Sequence, residues 1–160
     1  MKYLTKSKWK KAGLILLLIL GLLQLIPQPK KNISLAITNN KIEQIYPMED
    51  SILTILKTSC FDCHSNNTNY PWYSYVQPFA WFLNKHIVNG KAELNFDEFG
   101  SYSRRRQLSK LKSIASQVKD GDMPLTSYTL LHGESKLSEV EKVLILNWTF
   151  KTANILSVRN

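Results

Sequence analysis

The chain has 160 residues, 44% of them hydrophobic, with 21 Lys and Arg against 12 Asp and Glu. That length holds one domain and a short appendage. The charge of +9 is uneven: residues 1–31 carry seven lysines and no acid, leaving 14 basic against 12 acidic residues elsewhere, which removes the case for nucleic-acid binding.

Residues 1–31 read as an export signal. Lys2, Lys6, Lys8, Lys10 and Lys11 form a basic start, and Ala12 to Ile26 is apolar except for Gln24. Fifteen helical residues span about 22 Å, short of a hydrocarbon core of roughly 30 Å. Trp9 at the interface and snorkelling Lys10 and Lys11 would extend the span to Pro27 as a thin anchor. Five lysines before the run and two after it orient the N-terminus inside and the body outside. Ser34-Leu35-Ala36 is a distant small-x-small cleavage candidate, so an uncleaved signal-anchor is the preferred reading. No cysteine follows the run closely enough for a lipoprotein anchor.

Residues 32–47 read as a polar linker and 48–155 as the exported domain. Met48, Ile52, Ile55 and Leu56 recur at helical spacing and predict a helix from about Glu49 into Cys60. Ser65 to Asn69 is a polar turn. Seven of the 17 aromatics follow between Tyr70 and Phe82. A helix is expected from about Val76 to Asn89, with Pro78 in its first turn and Gly90 as its stop. Leu94 to Gly100 reads as a loop. Leu108, Leu111, Ala115 and Val118 predict a helix over Arg104 to Lys119, broken by Gly121-Asp122-Met123-Pro124. Ser138 and Glu141 form a capping box that opens the last helix, whose stripe is Val140, Leu144 and Trp148, widened by Val143, Leu146 and Phe150. Strand-like alternation is scarce, so the domain is expected to be all-α.

Within this frame stands Cys60-Phe61-Asp62-Cys63-His64. C-x-x-C-H is the attachment motif of a c-type haem: two thiols on one helical turn each add to a vinyl group of the same porphyrin, and the next histidine can take an axial position on iron. Other readings remain. A structural zinc needs four ligands, and there is no second cysteine pair. A redox dithiol would need a βαβ context, and no convincing strand precedes Cys60. A disulfide this short would close almost no loop.

The order helix, C-x-x-C-H, loops, Met-Pro, amphipathic helix is similar to that of monohaem cytochromes c. The run Cys60 to Thr68 followed by Tyr70-Pro71-Trp72-Tyr73 resembles the small bacterial haem-binding domain family. So do His86, Leu94-Asn95-Phe96, Gly121-Asp122-Met123-Pro124-Leu125, Tyr128, His132 and the Leu137-Ser138-x-x-Glu141 start. The resemblance covers about residues 48–150. It implies one covalent haem c in a cytochrome-c-like domain of about four helices, attached outside a bacterial inner membrane, where export delivers the chain.

Three side chains compete for the distal position. Met123 is preferred: Gly121 frees the backbone, Pro124 stiffens the exit, and 59 residues separate it from His64. Against this stands the commoner fate of methionine, filling a core. His86 borders an apolar helix face and is the alternative distal ligand. His132, before Gly133, reads as a helix-end cation; a five-coordinate haem completes the set. Trp72, Tyr73 and Phe79 are candidates for the haem wall or for plain core. Arg104-Arg105-Arg106 could meet propionates or an acidic partner, or be a solvated helix turn.

The expected function is therefore a membrane-anchored electron carrier facing the periplasm, with redox proteins as partners and no enzymatic chemistry of its own. The alternatives are a haem-based sensor or small-gas binder, and an exported dithiol protein without haem. No nucleophile elbow or acid–base pair stands out.

Overall fold

The structure, a computed structural model, describes residues 6–158, with side chains from residue 8 onward. Lys2 of the basic start lies outside the described residues. The chain forms two compact units: Met1–Lys31 with Asn69–His86, and Asn32–Thr68 with Ile87–Asn160. The sequence placed 69–86 inside a domain running from 48 to 155; instead this segment clusters with the N-terminal one.

In the first unit, helix α1 (Lys6–Leu23) stops three residues before the end of the apolar run. Its first turns hold Lys6, Lys8, Lys10 and Lys11, and among the described residues no helix is long and apolar enough to cross a membrane. The stop is made by Gln24. Its amide donates to the Leu20 carbonyl and to the Gln77 carbonyl, both at 3.0 Å, and accepts from the Gln77 N–H at 2.9 Å. Pairing the chain with the aromatic segment thus replaces continuation of the helix.

The second unit is all-α, and no strand occurs among the described residues. Its elements are α2 (Ile42–Ile45), α3 (Asp50–Ser59), α4 (Phe61–His64), the end of α5 (Phe79–Glu93), a 3₁₀ turn over Phe96–Ser101, α6 (Arg104–Asp120), α7 (Thr126–Thr129) and α8 (Glu139–Val158). α6 and α8 pack along each other, and α3 crosses α8. Between them lies one core that includes Ile52, Leu56, Phe96, Phe99, Leu111, Ile145 and Trp148.

Four expectations change here. The supposed linker buries Ile42 completely and Tyr46 almost completely, and the Tyr46 hydroxyl donates to Gln107 Oε1 at 2.5 Å. Gln107 in turn donates to the Phe99 and Tyr102 carbonyls, so a polar side chain is buried without cost in unmet hydrogen bonds. Gly90 does not stop α5; the helix continues to Glu93. Leu94 to Gly100 is not a plain loop, because Asn95 caps the 3₁₀ turn by accepting from the Asp97 N–H.

On α8 the buried face is Ile145, Trp148, Thr149, Thr152 and Leu156, while Val140, Val143 and Phe150 are exposed. The threonines can sit inward because their hydroxyls donate to the Leu146 and Trp148 carbonyls at 2.8 Å. The capping box forms as expected. The Glu141 carboxylate accepts from the Ser138 N–H at 2.8 Å, and Ser138 Oγ accepts from the Glu141 N–H.

Candidate functional site

The motif sits at the junction of α3 and α4. Cys60 ends α3 by donating its N–H to the Leu56 carbonyl at 2.9 Å, and its own carbonyl accepts from the N–H groups of Cys63 and His64 at 3.2 and 3.0 Å. The two thiols and the imidazole therefore occupy one helical turn.

The polar turn after His64 is tied down rather than loose. The Asn66 N–H donates to Asp97 Oδ2 at 2.7 Å, and Asn95 donates to Asn66 Oδ1 at 2.8 Å. The Thr68 hydroxyl donates to the Asp62 carbonyl at 2.6 Å, and Asn32 donates to Thr68 Oγ1 and the Ser65 carbonyl at 2.9 Å.

Cys60 and His64 line a cavity of about 310 Å³, walled by Leu94, Phe96, Ile114, Val118, Met123 and Pro124. Met123 reaches it through the end of α6. Gly121, at φ +77°, takes the left-handed conformation that closes the helix. The N–H groups of Asp122 and Met123 then both donate to the Gln117 carbonyl, at 3.0 and 3.2 Å. This cap folds Met123 back beside Gln117 and Val118 on the cavity wall.

His64 has one ring nitrogen assigned. Its Nδ1 lies 3.0 Å from the Leu94 carbonyl, and a carbonyl can only accept, so Nδ1 carries the proton and Nε2 keeps its lone pair. Burial lowers its pKa, outweighing the hydrogen bonds to the Leu94 and Gly90 carbonyls, and the ring is a neutral imidazole at neutral pH.

The thiols are neutral as well. Burial, then the neighbouring Cys63, pushes Cys60 up to about 12, and burial with Asp62 pushes Cys63 up to about 11. Reactive exchange dithiols need the opposite shift. Among the described residues no group of three His, Cys, Asp or Glu could hold a metal ion on its own. Neither the dithiol nor the zinc reading gains support.

Gly90 explains how α5 approaches the motif. A Cβ there would stand 2.6 Å from the Cys63 carbonyl oxygen and 3.2 Å from its Cβ, so only glycine lets the helix run this close. The Tyr128 hydroxyl also ties into the motif, donating to Asp62 Oδ2 at 2.5 Å.

The remaining sequence candidates are placed elsewhere. Trp72, Tyr73, Phe79 and His86 belong to the first unit, and the cavity lining is drawn from the second. Trp72 is 80% exposed, and the His86 ring packs against Phe82 at 4.5 Å. His132 is stacked on Tyr128 at 4.2 Å, with Nδ1 3.4 Å from Glu134, and is not on the cavity wall. Arg104 donates to the Leu156 carbonyl, and Arg106 lies over the Tyr102 ring. The sequence singles out the run Leu94-Asn95-Phe96, but not the role of the Leu94 backbone carbonyl, nor the Lys110–Glu93 ion pair at 3.1 Å on the cavity wall. Neither had a signal in spacing or composition.

An imidazole with an available Nε2 and a thioether line one largely apolar cavity together with the Cys60 thiol, while Cys63 shares the turn without lining the cavity. The imidazole and thioether are donors that fit haem iron. Such a helical domain is of the haem-binding class. The chain belongs to the haem-binding domain family, whose pattern it matches over residues 18–151. No curated protein and no solved structure gives a significant match.

Proposed function

We propose that this protein is a membrane-tethered monohaem c-type cytochrome that relays single electrons on the outer side of a bacterial inner membrane. The observation that carries the reading is the meeting of Cys60, His64 and Met123 on one apolar cavity.

Haem, when bound, supplies a one-electron ferric–ferrous couple. Each of the Cys60 and Cys63 thiols would add across a vinyl group, sulfur to one carbon and hydrogen to the other, with no net oxidation. His64 would ligate through Nε2, held in that tautomer by Leu94. Met123 would offer its thioether to the iron, and a Met/His pair would raise the potential, as suits a carrier. The largely apolar wall would hold the macrocycle, and Lys110, ion-paired to Glu93, stands on that wall.

For the tether, α1 exposes an apolar run from Leu14 to Leu22 among the described residues. With the basic residues before it, this supports a short inserted segment whose flanks snorkel.

A redox-titrated absorption spectrum of the holoprotein tests the proposal. A low-spin reduced spectrum with thioether-linked haem and a single one-electron step is expected. Carbon monoxide binding without displacing a sixth ligand would favour a sensor instead, and absence of covalent haem would overturn both readings.

A further inference from the structure

We infer that the first unit is a membrane-surface platform: its exposed aromatic side chains and lysines seat the region Asn69–His86 on a bilayer carrying anionic headgroups. This rests on the reading of α1 as a membrane tether and extends it to a surface no motif announced.

Charge is the first observation. On the outer side that the tether reading assigns to the body, unit one carries Lys30, Lys31 and Lys85, and the unit holds no acidic residue. Lysines near an anionic leaflet are attracted to it.

The second is the exposure of its aromatic side chains. Trp72 is 80% exposed, Tyr75 57%, Phe82 55% and Phe79 50%. Large aromatics in such numbers are unusual in water, whereas Trp and Tyr prefer the headgroup level of a bilayer.

The third is continuity with the tether. The exit of α1 is fastened to the aromatic segment by the reciprocal Gln24–Gln77 pair and by Gln28, whose amide donates to the Tyr75 carbonyl. Lys31 completes the fastening, donating to the Ser74 carbonyl and hydroxyl at 3.2 Å while lying 4.0 and 3.9 Å over the Tyr70 and Tyr75 rings. A chain leaving the bilayer at Pro27 therefore carries the aromatic segment with it at headgroup depth. An acidic protein partner would use the lysines but would not require this attachment to the tether.

The test uses full-chain holoprotein in vesicles of phosphatidylcholine with phosphatidylglycerol, and of phosphatidylcholine alone. Hydroxyl-radical oxidation is read residue by residue by mass spectrometry. Trp72, Phe79 and Phe82 should oxidise roughly fivefold more slowly in the anionic vesicles. Leu130 and Leu131, exposed in the second unit, should oxidise equally in both. The double variant Lys30→Glu, Lys85→Glu, which alters two exposed lysines, should abolish the difference. Equal rates in both vesicles for the unaltered protein would overturn the inference. Loss of the protein from vesicles in a carbonate wash would instead defeat the tether reading.

Discussion

Tyr128 donates its hydroxyl to Asp62, the residue between the two cysteines, across 66 positions of sequence and a distance of 2.5 Å. The bond ties the α7 turn to the motif that α3 and α4 present, and the His132 ring stacks on the outer partner. A half-buried carboxylate is satisfied and the motif is braced by a second element besides α5.

Tyr128→Phe should therefore destabilise the protein by about 1.5–3 kcal/mol, the range for a hydrogen bond to a charged group, measured by urea unfolding. Burial, with Asp62, raises the phenol above its ordinary value of 10. The unfolded chain ionises first, so this contribution is present below pH 10 and lost as pH rises above it. The difference between parent and variant should shrink between pH 9 and 11.

Replacing both Cys60 and Cys63 by Ser should remove the haem stain from the band on a denaturing gel. Either single replacement should leave a weaker stained band, because one thioether still holds the group.

Met123→Ala should lower the midpoint potential by an amount on the order of 0.1 V, a fraction of the ~0.8 V over which axial ligands tune haem. It should also let carbon monoxide bind the reduced protein readily. An unchanged potential would remove Met123 from the iron.

Gly90→Ala places a Cβ 2.6 Å from backbone oxygen of Cys63, which a backbone neighbour cannot evade by rotating. A cost of about 1–3 kcal/mol is expected, together with reduced haem incorporation. Gly133→Ala, where nothing lies within 4 Å of the added carbon, should change the unfolding midpoint little.

Ser138→Ala should cost about 1 kcal/mol through loss of the α8 cap. Ser138 holds the Glu141 carboxyl below its ordinary value of 4.5. The carboxylate's contribution is thus present above pH 4.5 and fades as the solution is acidified further, a dependence the variant should lack in acid titration followed by circular dichroism.

The sequence by itself determined the elements whose causes are local. C-x-x-C-H points to haem within five residues, in agreement with the family the chain belongs to, Ser138 and Glu141 state a helix start within four, and Gly121 states a helix end at one. The boundaries of α6 were legible for the same reason, since period and cap agree. Tertiary structure decided what depends on partners distant in the chain. Gly90 looked like a stop because glycine weakens helices, yet its purpose is the close passage of α5 by Cys63. Residues 32–47 looked like a linker because they are polar and interrupted, yet Ile42 and Tyr46 reach the core. Leu94 orients His64 through a backbone carbonyl that every residue type possesses, so no letter in the sequence could announce it. Met123 joined His64 only when the Gly121 cap turned the chain back onto the cavity. A hydrogen bond or a cavity wall is a relation between two places in space, and a single chain read in order contains only one of them at a time.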